Sequence, residues 1–197
     1  KWLPVLSPLF KKVIALDISA NNLKIAQQLY PTLTNVTYKR ADMSAVSAKI
    51  PATEFGVCIN AILTPHAKDR AIFFSNLKKC IKKNGTLVLT VPSLESFMLT
   101  RIIQRQFGID KKAFAEKITG KKALHKWTLL LQGVGEIDQV AHKHFLEEEL
   151  LLNLGQAGFN VIEIKKIEYP WGTEFNHPPR WLQSPKPWDW MVVAQKK

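Results

Sequence analysis

At 197 residues, 46% of them hydrophobic, the chain is long enough for one globular domain with a sizeable core. Its formal charge of +12 asks for an explanation among nucleic acid, anionic lipid and acidic substrates. No apolar run approaches the roughly 18 residues that cross a bilayer, and the amino terminus lacks the order of a secretion signal. A soluble, cytoplasmic protein with no membrane partner is expected.

Trp2 to Phe10 is apolar and carries Pro4 and Pro8, which suits a short or kinked helix ahead of Lys11 and Lys12. Val13 to Ser19, VIALDIS, is an apolar run that stops at a carboxylate and hands over to a polar segment. It reads as a buried parallel strand with Asp17 at its carboxyl end, where an acid is placed to accept from ribose hydroxyls or to cap the next helix. Ser19 is a cap candidate in its own right, ahead of a helix over Ala20 to Tyr30 that ends before Pro31. Val36 to Ala41 alternates as a second strand, and Asp42 and Met43 follow it.

Phe55 to Leu63 is a further apolar strand with the polar interruption Asn60. Asp69 to Lys83 reads as an amphipathic helix with a basic end, stopped by Asn84 and Gly85, and Thr86 to Val91 as the next strand. Strands alternating with helices imply right-handed crossovers and a parallel sheet. The alternation lapses over 94–139, where Glu95 to Phe107 and Lys122 to Gln132 look helical. This segment is expected to be a helical insertion over the ligand edge that selects substrates.

Between Arg101 and Lys126 stand Arg101, Arg105, Lys111, Lys112, Lys117, Lys121, Lys122 and Lys126 against Asp110 and Glu116, a net +6. Half the excess charge is therefore local. A solvated helix face and a nucleic-acid surface both account for it. The alternation resumes with a helix over Phe145 to Ala157, a strand over Phe159 to Tyr169, a loop rich in Pro and aromatics, and a last strand over Trp188 to Gln195. The final two strands are expected to be an antiparallel pair. Cys58 and Cys80 belong to no metal-ligand spacing and read as buried thiols, so neither a metal nor a disulfide is expected.

VIALDIS, RADMS, CINAIL, KKNGTLVLTVPS and HFLEEELLLNLGQAGF, in that order, resemble the class I S-adenosylmethionine-dependent methyltransferases. The resemblance implies an α/β fold: a doubly wound, mostly parallel sheet with a reversed terminal strand and helices on both faces. The core would comprise 1–93 and 140–197. It implies S-adenosylmethionine as cofactor, with Asp17 on the ribose, Ile18 against the adenine, Asp42 accepting from the adenine amino group and Met43 packing on the ring. Asn60 and Ala61 would lie near the methionine part and the methyl group. Plainer readings stand beside these: Asp42 starting a turn, Met43 in a core, Asn60 satisfying backbone groups.

The family's first strand and its glycine-rich loop have no counterpart here, and an extension upstream is expected to carry them, since removing a central strand exposes its neighbours. Methyl transfer from a sulfonium needs alignment, worth up to roughly 7–11 kcal/mol, and in some cases a base; His66, His142 and His144 are candidates. Trp127, Trp171, Trp181 and Trp188 could wall an acceptor pocket or fill a core. The expected activity is methyl transfer, with a small molecule as the acceptor and nucleic acid as an option through Arg101 to Lys126. A binding module on the same fold and a nicotinamide-dependent oxidoreductase are the competing readings. No GxSxG or HExxH pattern supports a hydrolase.

Overall fold

The computed structural model describes residues 1–110 and 118–197. The chain divides into two compact units, Lys1–Pro51 and Ala52–Lys197.

In the first unit, α1 (Leu3–Leu6) passes into a 3-10 turn at Ser7–Leu9, with a proline in the first turn of each. β1 (Val13–Asp17) and β2 (Val36–Arg40) pair in parallel, from Val13 opposite Val36 to Asp17 opposite Arg40. Between them runs α2 (Ala20–Leu29), whose N-cap is Ser19: its Oγ accepts the Asn22 amide at 3.2 Å. Asn35 fixes the entry to β2 by donating from Nδ2 to the carbonyls of Ser7 and Phe10, both at 2.8 Å, while its Oδ1 accepts from the Ser7 hydroxyl. β1 is half-buried along its whole length rather than buried.

The second unit holds a four-stranded sheet in the order β3 (Thr53–Ile59), β4 (Ile81–Pro92), β8 (Trp188–Lys196), β7 (Phe159–Glu168). β3 and β4 are parallel, whereas β8 runs antiparallel to both its neighbours. The last two strands therefore form the expected antiparallel pair, with the reversed final strand seated inside the sheet. Leu87, Leu89 and Val91 of β4 and Val192 and Ala194 of β8 are buried, together with Phe73, Phe74 and Leu77 of α3 (Ala67–Cys80) and Leu150 and Leu154 of α6 (Glu147–Gln156). Each large side chain so buried contributes about 1.5–3 kcal/mol.

The single, mostly parallel sheet expected from the sequence is not what the described residues form. They make three sheets, and only the pairs β1–β2 and β3–β4 are parallel. β1 and β3 each bond to one strand, so each sheet ends there. The third sheet is a hairpin of β5 (Val134–Ile137) and β6 (Val140–Lys143), which crosses the boundary expected at 139 and 140. Its two-residue turn, Asp138 and Gln139, has φ of 49° and 66°, the left-handed pair that a type I′ turn demands. Two helices precede it, α4 (Leu94–Gln106) and α5 (Gly120–Leu130).

A second correction concerns α3, which stops at Cys80 rather than at Lys83. Ile81 is already extended and pairs with Thr53; Phe55 next pairs with Thr86, so Lys82 to Gly85 bulge out of the ladder. Gly85 is required there, because a Cβ would lie 2.8 Å from the Glu54 carbonyl oxygen. The end of α3 is held instead from the last strand, Lys196 Nζ donating to the carbonyls of Lys78 at 2.6 Å and Ile81 at 2.5 Å.

Candidate functional site

Two carboxylates end the neighbouring strands of the first unit, and each is built the same way. Asp17 is the last residue of β1; its Oδ1 accepts the Ser19 amide at 2.8 Å and its Oδ2 the Asn22 amide group at 3.4 Å. Asp42 lies two residues past β2, and its Oδ1 accepts the Ser44 amide at 2.8 Å. Such Asx turns orient the carboxylate along the strand tip. The cap of α2 belongs to Ser19, so Asp17 is not needed in that role. Asp42 does start a turn, as its plainer reading had it, with the Ala45 amide returning to its carbonyl at 3.2 Å.

The connection after β1 is clamped by Arg40, whose Nε donates to the Ile18 carbonyl at 3.0 Å. That leaves the Ile18 side chain 59% exposed, while Met43 is partly buried. Ionised carboxylates only accept hydrogen bonds. An exposed apolar side chain and two acceptors at adjoining strand ends suit a ligand with hydroxyl and amino donors and a flat apolar face.

In the second unit Asn60 follows the carboxyl end of β3 with φ of 46°. Its amide donates to the Thr90 carbonyl at 2.8 Å, and its Nδ2 donates to Asp189 Oδ2 at 3.1 Å. Asp189 stands opposite Pro92, so the bond reaches over the end of β4. Burial pushes the Asp189 carboxyl above its ordinary value, and the Asn60 bond partly opposes that. Ala61, exposed, comes next. Asn60 thus does more than satisfy backbone groups.

Beside this pair the carboxyl end of β4 carries a dense polar network. Ser93 caps α4, accepting the Ser96 amide at 3.1 Å and donating to Glu95 at 2.8 Å. Glu95 also accepts Trp190 Nε1 at 3.2 Å, and Ser96 Oγ accepts the Trp188 amide at 2.8 Å. The Tyr169 hydroxyl donates to Glu174 at 2.9 Å. Burial, with the charges of Glu174 and Asp189, drives that phenol far above its usual range. Sequence reasoning passed over Asp189, Tyr169 and Glu174. The signal was available in Trp188-Asp189-Trp190, a charge between two large aromatics at a strand start.

Of the histidines, His66 is exposed at the N-cap of α3 and makes no cap bond. His144 is buried, its ring 4.4 Å from that of Phe97. Its Nδ1 donates to the His142 carbonyl at 3.0 Å, and burial lowers its pKa to about 4, so it is neutral near pH 7. Trp171 and Trp188 are core residues, the former stacked on Phe175 at 5.3 Å, whereas Trp127 and Trp181 are exposed. In the basic segment, Arg101 donates to the Glu136 carbonyl at 2.8 Å and Lys126 pairs with Glu136 at 2.8 Å. Lys111, Lys112, Glu116 and Lys117 lie outside the described residues.

Residues 1–89 match the family described as Methyltransferase domain. No curated protein sequence matches. Among solved structures, an S-adenosylmethionine-dependent methyltransferase from Methanosarcina mazei is similar over 98% of this chain and 85% of its own, with a TM-score of 0.66 and 17% identity. The N-methyltransferase NodS of Bradyrhizobium japonicum, solved with S-adenosyl-L-homocysteine, is similar over 98% and 70%, with a TM-score of 0.60 and 11% identity. A protein that converts a disulfide bond into a thioacetal group in echinomycin biosynthesis is similar over 98% and 70%, at 0.59 and 11%.

Proposed function

We infer from the Methyltransferase domain matched over residues 1–89, and from a fold shared with S-adenosylmethionine-dependent methyltransferases, that this chain is an S-adenosylmethionine-dependent methyltransferase. The observation that carries the reading is the pair of Asx-turned carboxylates, Asp17 and Asp42, at adjoining strand ends. When bound, the cofactor supplies a sulfonium-activated methyl group for in-line displacement.

The residues present fit its nucleoside. Asp17 accepts from the ribose hydroxyls, and Asp42 accepts from the adenine amino group. Ile18 and Met43 offer apolar surface to the ring. Asn60 and Ala61 serve the methionine end, with Asn60 oriented by its bond to Asp189. Alignment by groups held in advance is where such an enzyme gains most of its rate. Residues 94–139 select the acceptor.

The acceptor in this reading is a small molecule, which the similarity to the echinomycin protein supports. The place of action is the cytoplasm, where the two free thiols, Cys58 and Cys80, stay reduced. Calorimetric titration of the protein with S-adenosylmethionine, S-adenosylhomocysteine and NAD tests the assignment. The first two bind and NAD does not. A folded protein that takes up none of them is a binding module on this fold, and the enzymatic reading fails.

A further inference from the structure

Asp189 is the second residue of β8 and stands opposite Pro92, the last residue of β4. It therefore lies where the parallel strands β3 and β4 end, which is the end at which open α/β sheets bind ligands. Its Oδ2 is taken by Asn60 Nδ2 at 3.1 Å, and the residue is only partly buried. Among the described residues nothing donates to Oδ1. One oxygen is thus fixed by the fold and the other is open.

Among the described residues no cation pairs with this carboxylate. Side chains alternate along a strand, so Trp188 and Trp190 leave β8 on the opposite face. Lys166 goes with them, its Nζ 4.0 Å from the Trp188 ring centre. Tyr169 offers no compensation either: its hydroxyl is spent on Glu174 at 2.9 Å, and the charges acting on it are those of Glu174 and Asp189, both negative. In a chain at +12, this strand end carries negative charge without a counter-ion.

Methyl transfer moves charge. The lone pair of the acceptor atom forms a bond to the methyl carbon, the carbon–sulfur electron pair returns to sulfur, and one positive charge passes from sulfur to the acceptor. On an amine nitrogen that charge becomes an ammonium, which afterwards gives its proton to water. A carboxylate beside the nitrogen stabilises the charge as it arrives. A hydroxyl or thiol acceptor would first have to become an anion, and negative charge at Asp189 and Glu174 opposes that. A carboxylate or phosphate acceptor is repelled.

We propose that the methyl acceptor is an amine, its nitrogen held by Asp189 Oδ1 while Asn60 fixes the carboxylate in place. The inference rests on the enzymatic assignment and on the place of Asn60 in it.

Calorimetric titration of the protein, with and without S-adenosylhomocysteine, compares butylamine, benzylamine and cadaverine with the alcohols and carboxylates of the same skeletons. The amines bind at least about tenfold more tightly than their alcohols, and label from tritiated S-adenosylmethionine passes to amine nitrogen. Asp189→Asn still accepts from Asn60, so its affinity for S-adenosylhomocysteine is kept and its thermal midpoint is at or above that of the wild type. Its affinity for amines and its kcat/KM with them fall by roughly ten- to a hundredfold, as for a lost charge-assisted bond. Equal affinity for amines and alcohols, label passing to a hydroxyl or carboxylate in preference, or an Asp189→Asn protein that treats amines as the wild type does would overturn the proposal. Binding of S-adenosylhomocysteine without binding of any amine also overturns it and leaves the enzymatic assignment standing. Failure to bind S-adenosylhomocysteine removes both.

Discussion

The Ala41 amide donates to the main-chain carbonyl of Asp17 at 3.1 Å, tying the end of β1 to the residue just before Asp42. The two carboxylates are thereby held at the same end of a parallel pair, which is the end where open α/β sheets bind ligands. Asp17 also has a local duty, since its Oδ1 takes up the Ser19 amide at the start of α2. Asp17→Asn preserves that acceptor and removes the charge, so the thermal midpoint holds while affinity for S-adenosylmethionine drops by about tenfold or more, as for a lost charge-assisted bond. Asp17→Ala gives the same loss of affinity and in addition costs about 1 kcal/mol of stability. Calorimetry and thermal unfolding on both variants separate the two duties; equal affinity in all three proteins would remove Asp17 from the site.

Asn60 and Asp189 make a pair whose protonation is linked to folding. Burial raises the folded pKa of Asp189 above 3.8. A carboxyl with a raised folded pKa contributes stability below its unfolded pKa and loses it as pH rises through the folded value. Asp189→Asn removes that penalty, so the variant gains on the wild type between pH 3 and pH 7 rather than losing. Asn60→Gly relieves the positive φ but takes away the donor that lowers the Asp189 pKa, which moves the inflection to higher pH. Urea midpoints across this range report both effects, and a wild type and Asp189→Asn with parallel profiles would contradict them.

His144 works in the opposite direction. Desolvation by burial lowers its pKa from 6.5 to about 4. The unfolded chain therefore takes up a proton at a pH where the folded chain does not. The stability is complete above 6.5 and falls progressively as pH drops toward 4, by at most about 3 kcal/mol. His144→Gln flattens this acid limb. Denaturant titrations at pH 7 and pH 4.5 measure it; an acid limb unchanged by the substitution would assign the proton uptake elsewhere.

The sequence makes legible whatever depends on local pattern. The β1–α2–β2 run is marked by VIALDIS, by Ser19 and by Pro31, and the structure places its strands and helix within a residue or so of those marks. The acids at the strand ends follow from the same pattern. Less legible is whatever depends on a partner distant in the chain. Nothing around Lys83 shows that Lys196 supplies the end of α3, so Asn84 and Gly85 look like its stop signal. Asp138-Gln139 lacks the glycine that usually marks a hairpin, and the β5–β6 pair goes unseen. Asp189 is marked as unusual by the tryptophans on either side of it, but its partner Asn60 lies 129 residues earlier and no local pattern points to it.

Lys143 is the least expected member of the core, 1% exposed at the end of β6. Its Nζ donates to Glu149 at 2.6 Å and to the Gln132 carbonyl at 3.0 Å, and it sits 4.7 Å from the Phe145 ring centre. Burial lowers its pKa, and the bond to Glu149 holds it up. The ammonium thus joins the hairpin, the end of the loop after α5 and the first turn of α6. Gly133 makes room for it: φ is 68°, and a Cβ would lie 2.5 Å from Lys143 Nζ and 2.6 Å from the His144 carbonyl oxygen. Lys143→Ala leaves the Glu149 carboxylate and a carbonyl without their donor and costs about 3–5 kcal/mol. Lys143→Met paired with Glu149→Leu removes both charges and recovers most of that, because a well-packed apolar pair replaces a buried ion pair at little cost. Gly133→Ala, strained in backbone and crowded against a carbonyl that cannot retreat, destabilises by about 2 kcal/mol or more. Equilibrium unfolding of the three variants checks the ranking; a Lys143→Ala protein as stable as the double variant would show that the ammonium is not holding these segments together.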